Sequence, residues 1–210
     1  MLAQRRANSA RRETTDSWLL AMLCCASRRH RPTTHPIKNG RAVVDVLKNR
    51  PDLAPQCAKL CWTEFEAAYR DMGFPSVQSA LDNLNESYMN DDRVPLVLVC
   101  VDADDPATML GTVTLDEEDM STRPDLAPWV ADCLTLPDAR GRGVAALLVE
   151  QLVEVARSLG QQRIYLWTEH EEAYFSKLGF KRLEADRVEY AGSVVTLMYI
   201  DTAPAACIVA

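Results

Sequence analysis

No apolar run in this 210-residue sequence approaches the ~20 residues a bilayer-spanning helix requires. The longest near the start, Trp18–Ala26, falls well short, so no integral membrane segment is expected. No CxxC occurs, and the seven cysteines (Cys24, Cys25, Cys57, Cys61, Cys100, Cys133 and Cys207) are odd in number. A disulfide framework and a metal site both lose their usual signatures. The thiols read instead as small buried hydrophobes in a reducing compartment. GxxxxGK[ST] is missing, which argues against nucleotide hydrolysis on a phosphate loop. Internal repeats are missing too. What remains, at 48% hydrophobic and 25% charged residues, is an ordinary globular composition with enough chain for one sizeable core.

Charge is unevenly spread. Residues 1–40 hold eight Lys/Arg against two Asp/Glu, a balance of +6; residues 41–210 hold fifteen against twenty-eight, −13; the two recover the net −7. An acidic body repels nucleic-acid phosphate and attracts cations such as amines. In residues 1–40 arginines alternate with Ser, Thr and Ala, as in a disordered basic leader or an organelle transit peptide, and "WLLAMLCCA" also admits a signal-peptide reading. Residues 202–210 read as a tail. Its last four, from Cys207, fit the C-a-a-X prenylation pattern, which gives a weak lipid anchor by itself and competes with mitochondrial import. Without either signal in use, the expected location is the cytoplasm.

Residues 41–201 read as one domain. Strand patterns fall at 41–48, 94–102, 108–115, 129–136, 163–168, about 180–189 and 193–200. A helix opens at Pro51-Asp52, shows Leu53, Cys57, Leu60, Cys61, Phe65 and Ala68 on one face, and stops at Gly73. A weaker helix covers 76–88, and a short one covers 171–178. Between 144 and 159 the stripe Val144, Leu147, Leu148, Leu152, Val155, Leu159 marks an amphipathic helix closed by Gly160.

The turn entering that helix is the most informative segment. "LPDARGRGVA" (136–145) places two glycines and two arginines between a strand and a helix. A dinucleotide fold wants a third glycine and a parallel sheet; here the third glycine is missing and the preceding strands look like a hairpin meander. The pattern that does match is [Q/R]-x-x-G-x-[G/A], carried by Arg140, Gly143 and Ala145. Small residues keep bulk away, successive N–H groups point outward, and the helix dipole adds positive potential for a phosphate.

With this block, with "YFSKLGF" at 174–180 and with the loop "EEDMSTRPDLAPW" at 117–129, the sequence resembles the GNAT family of acyl-CoA N-acyltransferases over about residues 41–200. The resemblance implies an α/β (mixed α+β) fold, with a mostly antiparallel central sheet splayed at the cofactor site and flanked by helices. It implies acetyl-CoA as co-substrate and no metal. The diphosphate is expected on Arg140, Gly141, Arg142, Gly143, Val144 and Ala145, and the pantetheine arm along the backbone of Leu134, Thr135 and Leu136. The reaction implied is direct attack by an amine in a ternary complex. Cys133 is read as core packing, not as a covalent carrier.

A carboxylate must take the amine's proton, and Glu117 and Glu118 of the "DEED" run are the candidates. The family places a tyrosine acid four residues before the glycine of Leu178-Gly179-Phe180. Phe175 occupies that position here, so Tyr174 is the candidate acid; His170 is a further proton carrier to consider. Trp62, Phe65, Glu66, Tyr69, Trp129 and Tyr190 are aromatic or acidic candidates for the acceptor pocket. The acceptor expected is a small-molecule or peptide amine. The competing expectation is a domain that binds acetyl-CoA as a sensor or scaffold without chemistry, an idea that Phe175 keeps open.

Overall fold

The computed structural model describes residues 30–202. The leader before residue 30 and the tail from 203, including Cys24, Cys25 and the Cys207 motif, lie outside the described residues. Strands are β1 (Thr33–Ile37), β2 (Gly40–Val46), β3 (Leu96–Asp102), β4 (Met109–Asp116), β5 (Trp129–Thr135), β6 (Arg163–Thr168), β7 (Lys181–Arg182), β8 (Val188–Tyr190) and β9 (Ser193–Asp201). α-Helices are α1 (Ala54–Glu64), α2 (Glu66–Asp71), α3 (Val77–Ser87), α4 (Val144–Ser158) and α5 (Glu172–Lys177). The sheet runs β1-β2-β3-β4-β5-β6-β9-β7, with β8 paired to β9. Each of these pairings is antiparallel except β5–β6, which is parallel.

Alternation on β3 shows how the core divides. Leu96, Leu98 and Cys100 join the cluster under α4, whereas Val97, Val99 and Val101 join the cluster under α1 and α3. Successive side chains of a strand point to opposite faces, so an unbroken apolar run here means a strand covered on both sides. The α4 stripe is buried as its spacing requires: Val144, Leu147, Leu148, Leu152 and Val155 enter the core, with Leu159 packed partly against it. Gly111 of β4 lets the first turns of α4 settle closely. A Cβ there would lie 3.1 Å from Val144 and 3.2 Å from Leu148, and 2.5 Å from the Leu134 carbonyl.

Three boundaries differ from the sequence reading. β1 lies upstream of residue 41, in the stretch read as leader. Its polar run "TTHPI" hides the strand, although the following Asn39 and Gly40 (φ 62° and 152°) supply the conformations of a tight hairpin turn. The helix over 51–73 breaks at Phe65 into α1 and α2. The run at 180–189 separates into the short β7 and β8.

Candidate active site

β5 is held on one edge only. It pairs with β4 along its length, but β5 and β6 meet at the single register pair Trp129–Tyr165, with the Tyr165 amide donating to the Pro128 carbonyl. Beyond that point the two strands part, and α4 begins at the open end of the gap. The β4–β5 register slips between Thr112 and Thr114, and Asp132, opposite the slip, takes φ 48°. This is a β-bulge, a device that bends a strand and re-aims a side chain.

Backbone groups alternate between strand edges. The Leu136 amide donates to the Leu110 carbonyl of β4. By alternation Leu134 faces β4 too, leaving Thr135 and Cys133 on the open edge. Of Leu134, Thr135 and Leu136, all three expected to offer backbone to a ligand, Thr135 is the one whose backbone faces the open edge. The carbonyl of Thr135 accepts Arg140 Nε at 3.3 Å. Its hydroxyl is the buried side-chain oxygen that finds no partner among the described residues. A buried polar atom without a partner is costly, and this one sits on the strand that borders the gap.

The turn is built to expose amides. Gly141 and Gly143 take φ 70° and 89°, and among the described residues nothing beyond the adjoining chain stands within 4 Å of where a Cβ would lie on either. Among the described residues, the N–H groups of Gly141, Arg142, Gly143, Val144, Ala145 and Ala146 have no acceptor, and the first turn of α4 carries no acidic side chain to compete for them. The Arg140 amide is not among them, because it donates to Pro137 at 3.2 Å. The free run therefore starts one residue later than the sequence suggested. Arg142 departs further: its guanidinium turns back onto the Lys38 carbonyl (3.3 Å) and Asp102 (3.6 Å). A diphosphate fits this cradle of six amides at a helix start, and the unpartnered Thr135 hydroxyl fits a polar arm lying along β5.

Across the sheet from α4, a cavity of about 140 Å³ opens between the helices and the β4–β5 edge. Apolar side chains of Ala58, Phe74 and Leu84 line one wall; Asp116, Asp119 and Asp132 line the other, with Glu118 also contributing. Among the described residues, no Lys, Arg or His lines it. Burial, then the charges of Asp132 and Asp116, pushes the Asp119 carboxyl up to about 8. Burial, then Asp116, pushes Asp132 up to about 6, opposed by the Tyr69 hydroxyl donating at 3.4 Å. Asp116 is also raised by burial, against the Tyr88 hydroxyl (2.8 Å) and the Glu117 amide (2.7 Å), which donate to it.

Within the "DEED" run the structure brings Asp116 and Asp119 to the cavity, not Glu117, which is exposed; Glu118 is exposed but also lines it. Four acids ending a strand alternate outward and inward, and the sequence offered no sign of which pair turns in. Asp132 was missed outright, because a lone aspartate within an apolar strand gives no hint of a bulge.

Of the aromatic candidates, Tyr69 lines the cavity. Trp129 is core, its indole donating to Leu126, and Tyr190 braces the loop by donating to the Asp119 carbonyl. Trp62 donates to the Phe74 carbonyl, Phe65 is exposed, and Glu66 pairs with Arg70.

Tyr174 and Phe175 share a helical turn but divide the work. Phe175 packs into the core against Phe180, whereas Tyr174 is half-buried and close enough to Cys133 on β5 for their charges to interact. Burial, then Cys133, raises the Tyr174 phenol, so it stays protonated. Burial, then Asp132, pushes Cys133 up to about 12, which makes its thiolate scarce and its thiol a poor nucleophile. His170 is exposed beside Glu169.

A mixed sheet that parts at its one parallel pair, beside a helix start rich in free amides, is an acyltransferase fold. The chain belongs to the acetyltransferase (GNAT) family, whose pattern matches residues 55–180. Solved structures share the fold. The GNAT domain of S. lividans PAT is 19% identical, with 81% of this chain and 96% of that one covered and a TM-score of 0.58. An aminoglycoside 6'-N-acetyltransferase complexed with coenzyme A is 17% identical, covering 77% and 98%, with a TM-score of 0.58. A spermidine/spermine N-acetyltransferase from Vibrio cholerae is 17% identical, covering 77% and 95%, with a TM-score of 0.54. No curated protein matches the sequence.

Proposed function

We propose that this protein transfers an acetyl group from acetyl-CoA to a primary amine by direct attack within a ternary complex. One observation carries the proposal: six free amides at the start of α4 stand beside a strand with an open edge, while a cationless carboxylate cavity opens on the same strand at Asp132. The first feature suits the diphosphate and pantetheine arm of the donor. The second suits the ammonium of the acceptor.

The chemistry assigned to these residues follows from charge and position. An ammonium has no lone pair, so it must give up a proton before attack. The charges of Asp116 and Asp132 bear on Asp119, and that of Asp116 bears on Asp132; together the three draw the cation in and take the proton. Asp132 immediately precedes Cys133 on β5, so it borders both the cavity and the gap. The amine nitrogen then attacks the thioester carbon, the C–S bond breaks, and the Tyr174 phenol gives its proton to the departing thiolate. Backbone N–H on the open edge of β5 is the donor available for the oxyanion.

Cavity size limits the acceptor. An engineered cavity of about 150 Å³ holds benzene, so about six non-hydrogen atoms fit in this one. A short aliphatic amine, or the amino-bearing arm of something larger, meets that limit.

The reading is tested by following free-CoA release from acetyl-CoA across a panel of short diamines, monoamines and amino sugars. Turnover with at least one short cationic amine is expected. Tight acetyl-CoA binding with no turnover on any acceptor would leave the chain a sensor and overturn the catalytic proposal.

A further inference from the structure

Arg142 stands in the middle of the amide cradle, and its side chain leaves it. The contacts run in both directions between the turn and the β1–β2 hairpin. The Lys38 amide donates to the Arg142 carbonyl at 3.0 Å, and Arg142 Nε donates back to the Lys38 carbonyl at 3.3 Å. The guanidinium then reaches Asp102, at the end of β3, at 3.6 Å. Gly40 leaves room for it, since a Cβ there would sit 3.2 Å from Arg142 Nη2. Its side chain is 20% exposed and that of Asp102 is 26% exposed, so this pair is only partly washed by solvent.

Peptide geometry makes the consequence directional. A trans peptide is planar, with its C=O and N–H pointing opposite ways. Fixing the Arg142 carbonyl on Lys38 therefore turns the Gly143 N–H away from the hairpin, into the cradle. A glycine pair at positive φ has little intrinsic preference for that arrangement; an external anchor has to select it.

We propose that Arg142 is a positioning residue. Held by Asp102 and Lys38, it locks the peptide that aims the Gly143 amide at the donor's diphosphate, and its own charge is spent on Asp102. The β1–β2 hairpin is thereby part of the donor site without touching the donor. This rests on the donor reading above.

Two donors separate the outcomes. S-acetylpantetheine carries the thioester but lacks the diphosphate, so it does not use the cradle. In Asp102→Asn and in Arg142→Ala, KM for acetyl-CoA should rise about fivefold or more, with kcat and the amine KM within about twofold. Turnover of S-acetylpantetheine should stay at the wild-type level. The ratio of kcat/KM for the two donors cancels any loss of folded enzyme, so a destabilised variant still reports. The double variant should be no worse than Arg142→Ala, because both changes release the same anchor.

The alternative, Arg142 as a direct phosphate contact, predicts the opposite sign: Asp102→Asn frees the guanidinium, and KM for acetyl-CoA falls or holds. That result, or an equal loss with both donors, overturns the positioning role. A wild-type chain that ignores acetyl-CoA sinks the donor reading itself, a distinguishable failure.

Discussion

Asp132→Asn should make the protein more stable and less active, and the gain should depend on pH. Burial, then the charge of Asp116, pushes the Asp132 carboxyl up to about 6 in the fold, from an ordinary value of 3.8. Because the folded state holds this proton more tightly than the unfolded chain, the group costs nothing below about pH 4. Stability falls as pH rises through the window from 3.8 to about 6, and the full cost applies above it. Two units at about 1.4 kcal/mol each give about 3 kcal/mol. The side chain still meets the water of its own cavity and shares part of the effect with Asp116, so about 2 kcal/mol is the expected gain at pH 8. The Tyr69 hydroxyl can still donate to the new amide oxygen. For a chain of this length the gain corresponds to a rise of about 4–8 °C in Tm. Scanning calorimetry of both proteins at about pH 4 and pH 8 reads it directly. Equal Tm values at the acidic end and a gap at pH 8 are expected, together with a fall in kcat/KM for the amine of about 100-fold. A variant less stable than wild type at pH 8 would mean that Asp132 is satisfied in the fold, and the reasoning about an unbalanced carboxylate cavity would be wrong.

Other outcomes follow from the same geometry. Gly143→Ala, forced to φ 89°, should cost about 1–2 kcal/mol in thermal unfolding and raise KM for acetyl-CoA with little change in the amine KM. Tyr174→Phe should lower kcat about 10–100-fold without moving either KM, whereas Phe175→Tyr should not restore it, since that position faces the core. Cys133→Ala should retain kcat within a few-fold, and the wild-type protein mixed with acetyl-CoA should show no acetylated form by intact mass, as direct attack requires. Gly111→Ala should lower Tm markedly, because its Cβ would stand 2.5 Å from the Leu134 carbonyl and backbone must move.

Much of this architecture was legible because periodicity reports burial. The stripe on α4 and the alternation on β3 left little choice of element, and the glycines of the turn marked a backbone that side chains would block. The acidic cavity was harder to see. Asp132 reaches it only because β5 bulges, and a bulge depends on pairing with β4, which local sequence does not encode. Glu117 and Asp119 are chemically interchangeable in a string of acids until the loop's path is known. The path of the Arg142 side chain was unreadable for a similar reason. A basic residue in a phosphate turn reads as a phosphate ligand, and only the packing of a hairpin 104 residues upstream shows where its charge goes.

The most direct test is an amide-resolved NMR titration. Adding coenzyme A to the ¹⁵N-labelled protein should move the resonances of Gly141 through Ala146 together, and S-acetylpantetheine should leave them in place. Saturating coenzyme A that shifts other parts of the chain while those six amides stay still would contradict the account.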